Sequence, residues 1–114
     1  MAKERILVTG AEGFIGSHLI KKLLSEDGNN CYAFYKDARR LDNLKKIDTN
    51  GRLKLYRIDL CNYGLVKRAV NQIKPTIIYH LAAVIERGDK QDKVFRSIKN
   101  NVLATLNLLY CLNR

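Results

Sequence analysis

An α/β fold, a parallel sheet with helices on both faces, is what this sequence predicts, and three observations predict it. Strand-like and helix-like hydrophobic periods alternate along the 114 residues. The strand-like runs, Ile6-Leu7-Val8 and Ile77-Ile78-Tyr79 among them, are nearly continuous in apolar residues. Such runs are the pattern of strands covered on both faces. Glycines stand at positions 10, 13 and 16, between the first strand and the helix that follows it.

Taken in order, the first strand is Arg5 to Thr9, and the first helix runs from about Gly13 to Ser25. Ile15, Leu19 and Leu23 would form its apolar stripe, and Gly28 is placed as a C-terminal cap. Strand two is Cys31 to Tyr35, followed by a polar stretch and a short helix carrying Leu41, Leu44 and Ile47. Asn50-Gly51 is a turn signal before strand three, Leu53 to Ile58. Asn62 can cap a third helix bearing Leu65, Val66, Ala69, Val70 and Ile73, which Pro75 closes. Strand four is Thr76 to Leu81, a charged loop covers Glu86 to Asp92, and the last helix spans about Gln91 to Leu112. The order β-α-β-α-β-α-β-α is the first half of a doubly wound, Rossmann-type nucleotide-binding fold.

Length allows one domain, and 46% hydrophobic residues supply its core. There is no low-complexity segment or repeat. No apolar run reaches the roughly 18 residues of a membrane span, so no membrane partner is expected. The N-terminus, Met1-Ala2-Lys3-Glu4-Arg5, lacks a signal-peptide core. Cys31, Cys61 and Cys111 are odd in number and form no CxxC, so they read as buried thiols of a cytoplasmic protein. The net charge of +10 favours anionic partners. The basic residues are dispersed rather than blocked, however, which suits a solvated surface better than a nucleic-acid patch.

The glycine run carries chemistry. Gly10 permits a sharp turn, Gly13 removes a side chain where a pyrophosphate would approach the amides, and Gly16 lets the helix pack closely. The helix start then offers free N–H groups and a positive dipole end to phosphates. Glu12 is an acid within this loop, expected to point outward and to add nothing to phosphate affinity.

Four landmarks in order resemble the extended short-chain dehydrogenase/reductase superfamily, in particular the NAD(P)-dependent sugar-nucleotide epimerases and dehydratases. They are Thr9-Gly10-Ala11-Glu12-Gly13-Phe14-Ile15-Gly16-Ser17-His18-Leu19, then Asp59-Leu60, then His80-Leu81-Ala82-Ala83, then Asn101 to Leu109 in the last helix. The resemblance covers the whole chain. It implies a dinucleotide along Gly10, Glu12, Gly13, Phe14, Ile15 and Gly16, with the adenine amino group on Asp59 beside Leu60. It places the nicotinamide-side ribose on Leu81, Ala82 and Ala83. His80 itself reads as a structural residue, hydrogen-bonded in or beside the sheet. Val94, Ile98, Asn101, Thr105 and Leu108 would form one stripe facing the sheet. Asn101 on that stripe either orders the active site from below or ties the helix to a loop, while Asn100 is placed in solvent.

Cofactor choice turns on the end of strand two. An acid there would hold the adenosine ribose and favour NAD. Here Lys36 and Arg39 can pair with a 2′-phosphate, and Asp37 comes about two residues late, so NADP is expected over NAD. The resemblance also implies a catalytic Tyr-x-x-x-Lys pair on a helix after a fifth strand, and a C-terminal substrate domain for a nucleotide sugar. Both are expected to lie outside these residues, so the catalytic residues are unassigned. Tyr32-x-x-x-Lys36 falls on a strand and Tyr63-x-x-x-Lys67 on the third helix, and both read as chance matches. Competing with a hydride-transfer enzyme are a stand-alone nucleotide-binding or sensing module, completed by homodimerisation at an open strand edge, and a basic nucleic-acid-binding protein. The latter is disfavoured because the aromatic residues are not interleaved with basic ones in a loop.

Overall fold

In the computed structural model, residues 4–47, 51–83 and 91–112 are described. The predicted charged loop therefore lies largely outside the described residues, as does Asn50 of the predicted turn. Four strands form one parallel sheet: β1 (Arg5–Thr9), β2 (Asn30–Tyr35), β3 (Leu53–Arg57) and β4 (Ile77–His80), in the spatial order β3-β2-β1-β4. The helices are α1 (Phe14–Leu24), α2 (Asp42–Lys45), α3 (Tyr63–Ile73) and α4 (Gln91–Leu112), with a 3-10 turn at Ala38–Arg40. This is the predicted Rossmann-type arrangement. In register, Thr9 lies between Phe34 of β2 and His80 of β4.

The sheet separates two cores because successive side chains on a strand point to opposite faces. Ile6, Val8, Cys31 and Ala33 meet Ile20, Leu24, Leu41 and Leu44 on one side. Leu7 and Phe34 meet Val66, Val70, Ile73, Ala104 and Leu108 on the other. Burial on both faces holds for β1 and β2, while β3 and β4 are partly exposed along their length. Among the described residues no strand pairs beyond β4, which exposes Ile77 and Tyr79, and α4 exposes Phe95, Leu109 and Tyr110.

The predicted apolar stripes of two helices hold in part: Leu19 and Leu23 pack at the margin of the core and Leu108 is buried, but the most buried positions lie beside the predicted ones. In α1 the buried residues are Gly16, Ser17, Ile20 and Leu24, whereas Ile15 is 69% exposed. The reason is Gly16: it must face the Gly10–Ala11 backbone, and positions four and eight residues on share its face. In α4 the buried residues are Ala104, Asn107 and Leu108, with Val94 and Ile98 about half exposed. Asn107 Nδ2 donates to the Leu60 carbonyl at 2.7 Å, and this bond turns the helix. Cys31 alone of the three cysteines is fully buried; Cys61 and Cys111 are half-buried free thiols. Burial pushes the Cys31 thiol up to about 11, so it stays protonated and unreactive.

Helix ends also differ. Ser25 closes α1, and Gly28, with φ of 90°, makes the turn into β2 instead. At the end of α3 the stop is Lys74 rather than Pro75: Lys74 is left-handed with φ of 50°, and its N–H donates to Val70. A non-glycine residue in that conformation costs about 1–2 kcal/mol. Lys74→Gly is therefore expected to stabilise the protein by roughly 1 kcal/mol, read as a higher urea midpoint at unchanged slope.

Candidate functional site

The glycine turn is built as the sequence requires. Gly10 has φ of 65°, and a Cβ there would come within 2.8 Å of Ala82 N and 2.9 Å of the Leu81 carbonyl carbon. The backbone leaving β4 thus lies directly on the backbone leaving β1. Gly13 donates to Gly10 O at 3.1 Å and starts α1 from an extended conformation, with no side chain capping the helix. A helix start without a side-chain cap leaves first-turn N–H groups for an anion. Phe14 and Ile15 hold their side chains in solvent, 73% and 69% exposed, so their backbone is what they present there.

Thr9 and His80 lock the ends of β1 and β4 together. Thr9 Oγ1 accepts from Leu81 N at 3.0 Å and Ala82 N at 3.1 Å, and lies 2.7 Å from His80 Nδ1. Having accepted twice, the hydroxyl gives its own proton to Nδ1. His80 is thereby the Nε2–H tautomer, and it donates to Thr105 Oγ1 at 3.1 Å; Thr105 in turn donates to the Asn101 carbonyl at 2.9 Å. The predicted structural role of His80 is what this chain of bonds shows.

Burial also holds the His80 pKa below its ordinary 6.5. The unfolded ring therefore takes up a proton at a pH where the folded ring resists it, and protonation would turn the Nδ1 acceptor into a donor. The stability His80 contributes is present above 6.5 and is lost as pH falls through and below that value. Thermal midpoints measured from about pH 7.5 to about 5.5 should fall, and His80→Asn should flatten that slope.

Beyond the carboxyl ends of the strands lies a cleft of about 670 Å³. Of the predicted residues, it is lined by Gly10, Glu12, Gly13, Lys36, Arg39, Asp59, Leu60, Leu81, Ala82, Ala83 and Asn101. Ligands in open α/β sheets bind at this edge. Gly16 is not on the wall; it seats α1, its would-be Cβ lying 2.3 Å from Gly10 O. Sequence reasoning missed several lining residues, among them Phe34, Arg40, Arg57, Cys61 and Ala104. Asn100, expected in solvent, is half-buried on the wall, and Cys61 Sγ lies 3.7 Å from its carbonyl oxygen. The α4 rotation that buries Asn107 carries Asn100 inward.

Glu12 does not point outward. It is 7% exposed, and its Oε2 accepts from Lys36 N at 2.7 Å and Asp37 N at 2.8 Å. The two cations assigned to a 2′-phosphate already have partners: Lys36 Nζ is 3.8 Å from Asp59, and Arg39 Nε is 3.0 Å from Asp37. Arg39 holds the Asp37 carboxyl below its usual range. Asp59 serves the backbone as well, since its Oδ1 accepts from Cys61 N at 2.9 Å, while Asn62 caps α3 through Leu65 N as predicted. The tyrosine of neither Tyr-x-x-x-Lys match lines the cleft, although Lys36 does: Tyr32 packs on the core from β2, and Tyr63 opens α3. Among the described residues no acidic, histidine and cysteine cluster could hold a metal, and no helix is long and apolar enough to cross a membrane.

A parallel sheet in this order, with a glycine turn entering α1 and a cleft at the strand ends, defines a Rossmann-type α/β protein. The sequence profile of the GDP-mannose 4,6 dehydratase family matches residues 7–114, and the chain belongs to that family. UDP-glucuronic acid decarboxylase 6 of Arabidopsis thaliana is 38% identical over 92% of this chain and 29% of its own length. UDP-glucose 4-epimerase of Caenorhabditis elegans is 30% identical over 91% of this chain and 33% of its own. In structure, the UDP-Glc/GlcNAc 4-epimerase of Campylobacter jejuni superposes with a TM-score of 0.81 at 25% identity, covering 97% of this chain and 33% of that one. The UDP-glucuronic acid 4-epimerase of Bacillus cereus, solved in complex with NAD, gives 0.74 at 31% identity, covering 93% and 35%. The chain spans about a third of the length of these relatives.

Proposed function

We propose that this chain is the dinucleotide-binding portion of an NAD(P)-dependent epimerase or dehydratase that acts on a nucleotide sugar by hydride transfer. The observation that carries the reading is the cradle itself: a helix start with no side-chain cap and the bare Gly13 facing a cleft walled by the ends of β2, β3 and β4. The residues present fit a dinucleotide. First-turn amides of α1 hold the pyrophosphate, Asp59 and Leu60 receive the adenine, and the Leu81–Ala83 backbone supports the second ribose. When bound, the nicotinamide supplies the hydride acceptor. Asn101, on the cleft wall and linked to His80 through Thr105, positions α4 against that ribose. Lys36 and Arg39 are the groups through which NADP in particular would be accepted, and a cytoplasmic location agrees with the three unpaired thiols.

A non-catalytic module closed by homodimerisation is the second reading, favoured by the exposed Ile77 and Tyr79 on β4. Nicotinamide fluorescence titrations with NADH and NADPH at fixed salt, repeated in the presence of single-stranded nucleic acid, test the proposal. Saturable dinucleotide binding that nucleic acid does not displace supports it. Salt-dependent nucleic-acid binding without any dinucleotide binding overturns it.

A further inference from the structure

In folds of this type an acid near the end of β2 reads the adenosine ribose. Asp37 stands there, but its carboxylate is engaged: Oδ1 accepts from Arg39 N and Nε, both at 3.0 Å, and Oδ2 from Arg39 Nη2 at 3.2 Å. Glu12, in the turn between β1 and α1, reaches the same stretch of backbone. Its Oε2 sits on the N–H groups of Lys36 and Asp37, and among the described residues its Oε1 has no hydrogen-bond donor. A carboxylate that is 7% exposed, on the cleft wall and half satisfied, is built to receive a donor from a ligand.

Resting on the dinucleotide reading above, we propose that Glu12 is the acid that accepts the adenosine ribose hydroxyls, and that it sets a preference for NAD over NADP. Two physical reasons support the preference. The paired N–H groups at the end of β2 are the natural cradle for a 2′-phosphate, and Glu12 already fills it. A phosphate placed there would also bring its negative charge against a carboxylate withdrawn from water, where repulsion is poorly screened. Lys36, Arg39 and Arg40 act in the opposite sense. Their side chains lie in solvent, 64% exposed for Lys36 and 91% for Arg39, and exposed charges are screened. The buried carboxylate therefore outweighs them, which reverses the choice that Lys36 and Arg39 suggest when read in sequence alone.

The test is calorimetry on the 114-residue chain with NADH and NADPH, and with ADP-ribose and 2′-phospho-ADP-ribose as probes of the adenosine half alone. Glu12→Gln and Glu12→Ala are compared after circular dichroism has confirmed their fold. The wild-type chain should bind NADH and ADP-ribose about tenfold or more tighter than their 2′-phosphorylated forms. Glu12→Gln should narrow that ratio, and Glu12→Ala, which frees both N–H groups, should narrow it further or invert it. Equal wild-type affinity for the two forms overturns the proposal even if neither variant folds. An unchanged ratio in a folded variant overturns it too. Failure of the folded wild-type chain to bind any of the four probes overturns the dinucleotide reading itself, and this inference with it.

Discussion

Gly16→Ala is expected to destabilise the protein by roughly 2–3 kcal/mol, against the usual direction of that change within a helix. At an ordinary helical position the substitution gains about 1 kcal/mol, because alanine loses less backbone freedom on folding than glycine. Here the added methyl would lie 2.3 Å from Gly10 O and 2.9 Å from Ala11 Cα. Both are backbone atoms of a turn that is itself wedged against Ala82, so no flexible side chain can swing away. Relief requires α1 to lift from the turn, loosening the contacts of Ile20 and Leu24 with the core. Urea unfolding monitored by circular dichroism checks the sign: a lower midpoint at unchanged slope is the expected result.

Gly13→Trp is expected to do the reverse, leaving the fold intact and reducing dinucleotide affinity by about a hundredfold or more. Gly13 has φ of −73° and ψ of 171°, a conformation open to any residue. A Cβ there meets only Gly10 O at 3.3 Å, a contact that a shift of a few tenths of an ångström relieves. The rest of the indole would enter the cleft in front of the first turn of α1. A ligand whose phosphate must touch those amides loses its place, because bringing a phosphate to within about 3 Å of the N–H groups leaves no room for a ring. Parallel melts and titrations of Gly13→Trp and Gly16→Ala would separate the two roles within one motif: the first protein folds and does not bind, while the second binds only to the extent that it folds.

Element order and the glycine turn were legible because both are local: period, glycine spacing and the Asn62 cap are each read within a few residues. Helix rotation was not. Ile15, Val94 and Ile98 are apolar yet exposed, so the stripes they define lie to one side of the faces that α1 and α4 bury, although Leu19 and Leu23 pack at the core's margin and Leu108 is buried. What decides those faces are single long-range contacts, Gly16 on Gly10 and Asn107 on Leu60, that no periodicity encodes. The same holds for the site. Most of the predicted lining converged on one cleft, since the strand ends of a parallel sheet must lie together. The inward turn of Glu12 is not legible in sequence because its partners lie 24 and 25 residues away and are backbone amides, invisible to side-chain patterns. The bonds from Thr9 through His80 to Thr105 likewise span three elements. His80 could be recognised as structural, but its tautomer emerges only from counting the bonds on Thr9.

The most direct measurement is the amide NMR spectrum of the chain during titration with NADH. If the cleft is a dinucleotide cradle, saturable shifts should appear at Gly13, Phe14 and Ile15, at Asp59 and Leu60, and at Leu81 to Ala83, all with one dissociation constant. Saturable binding with shifts confined to other surfaces, or no shifts at all in a folded chain, would contradict the account.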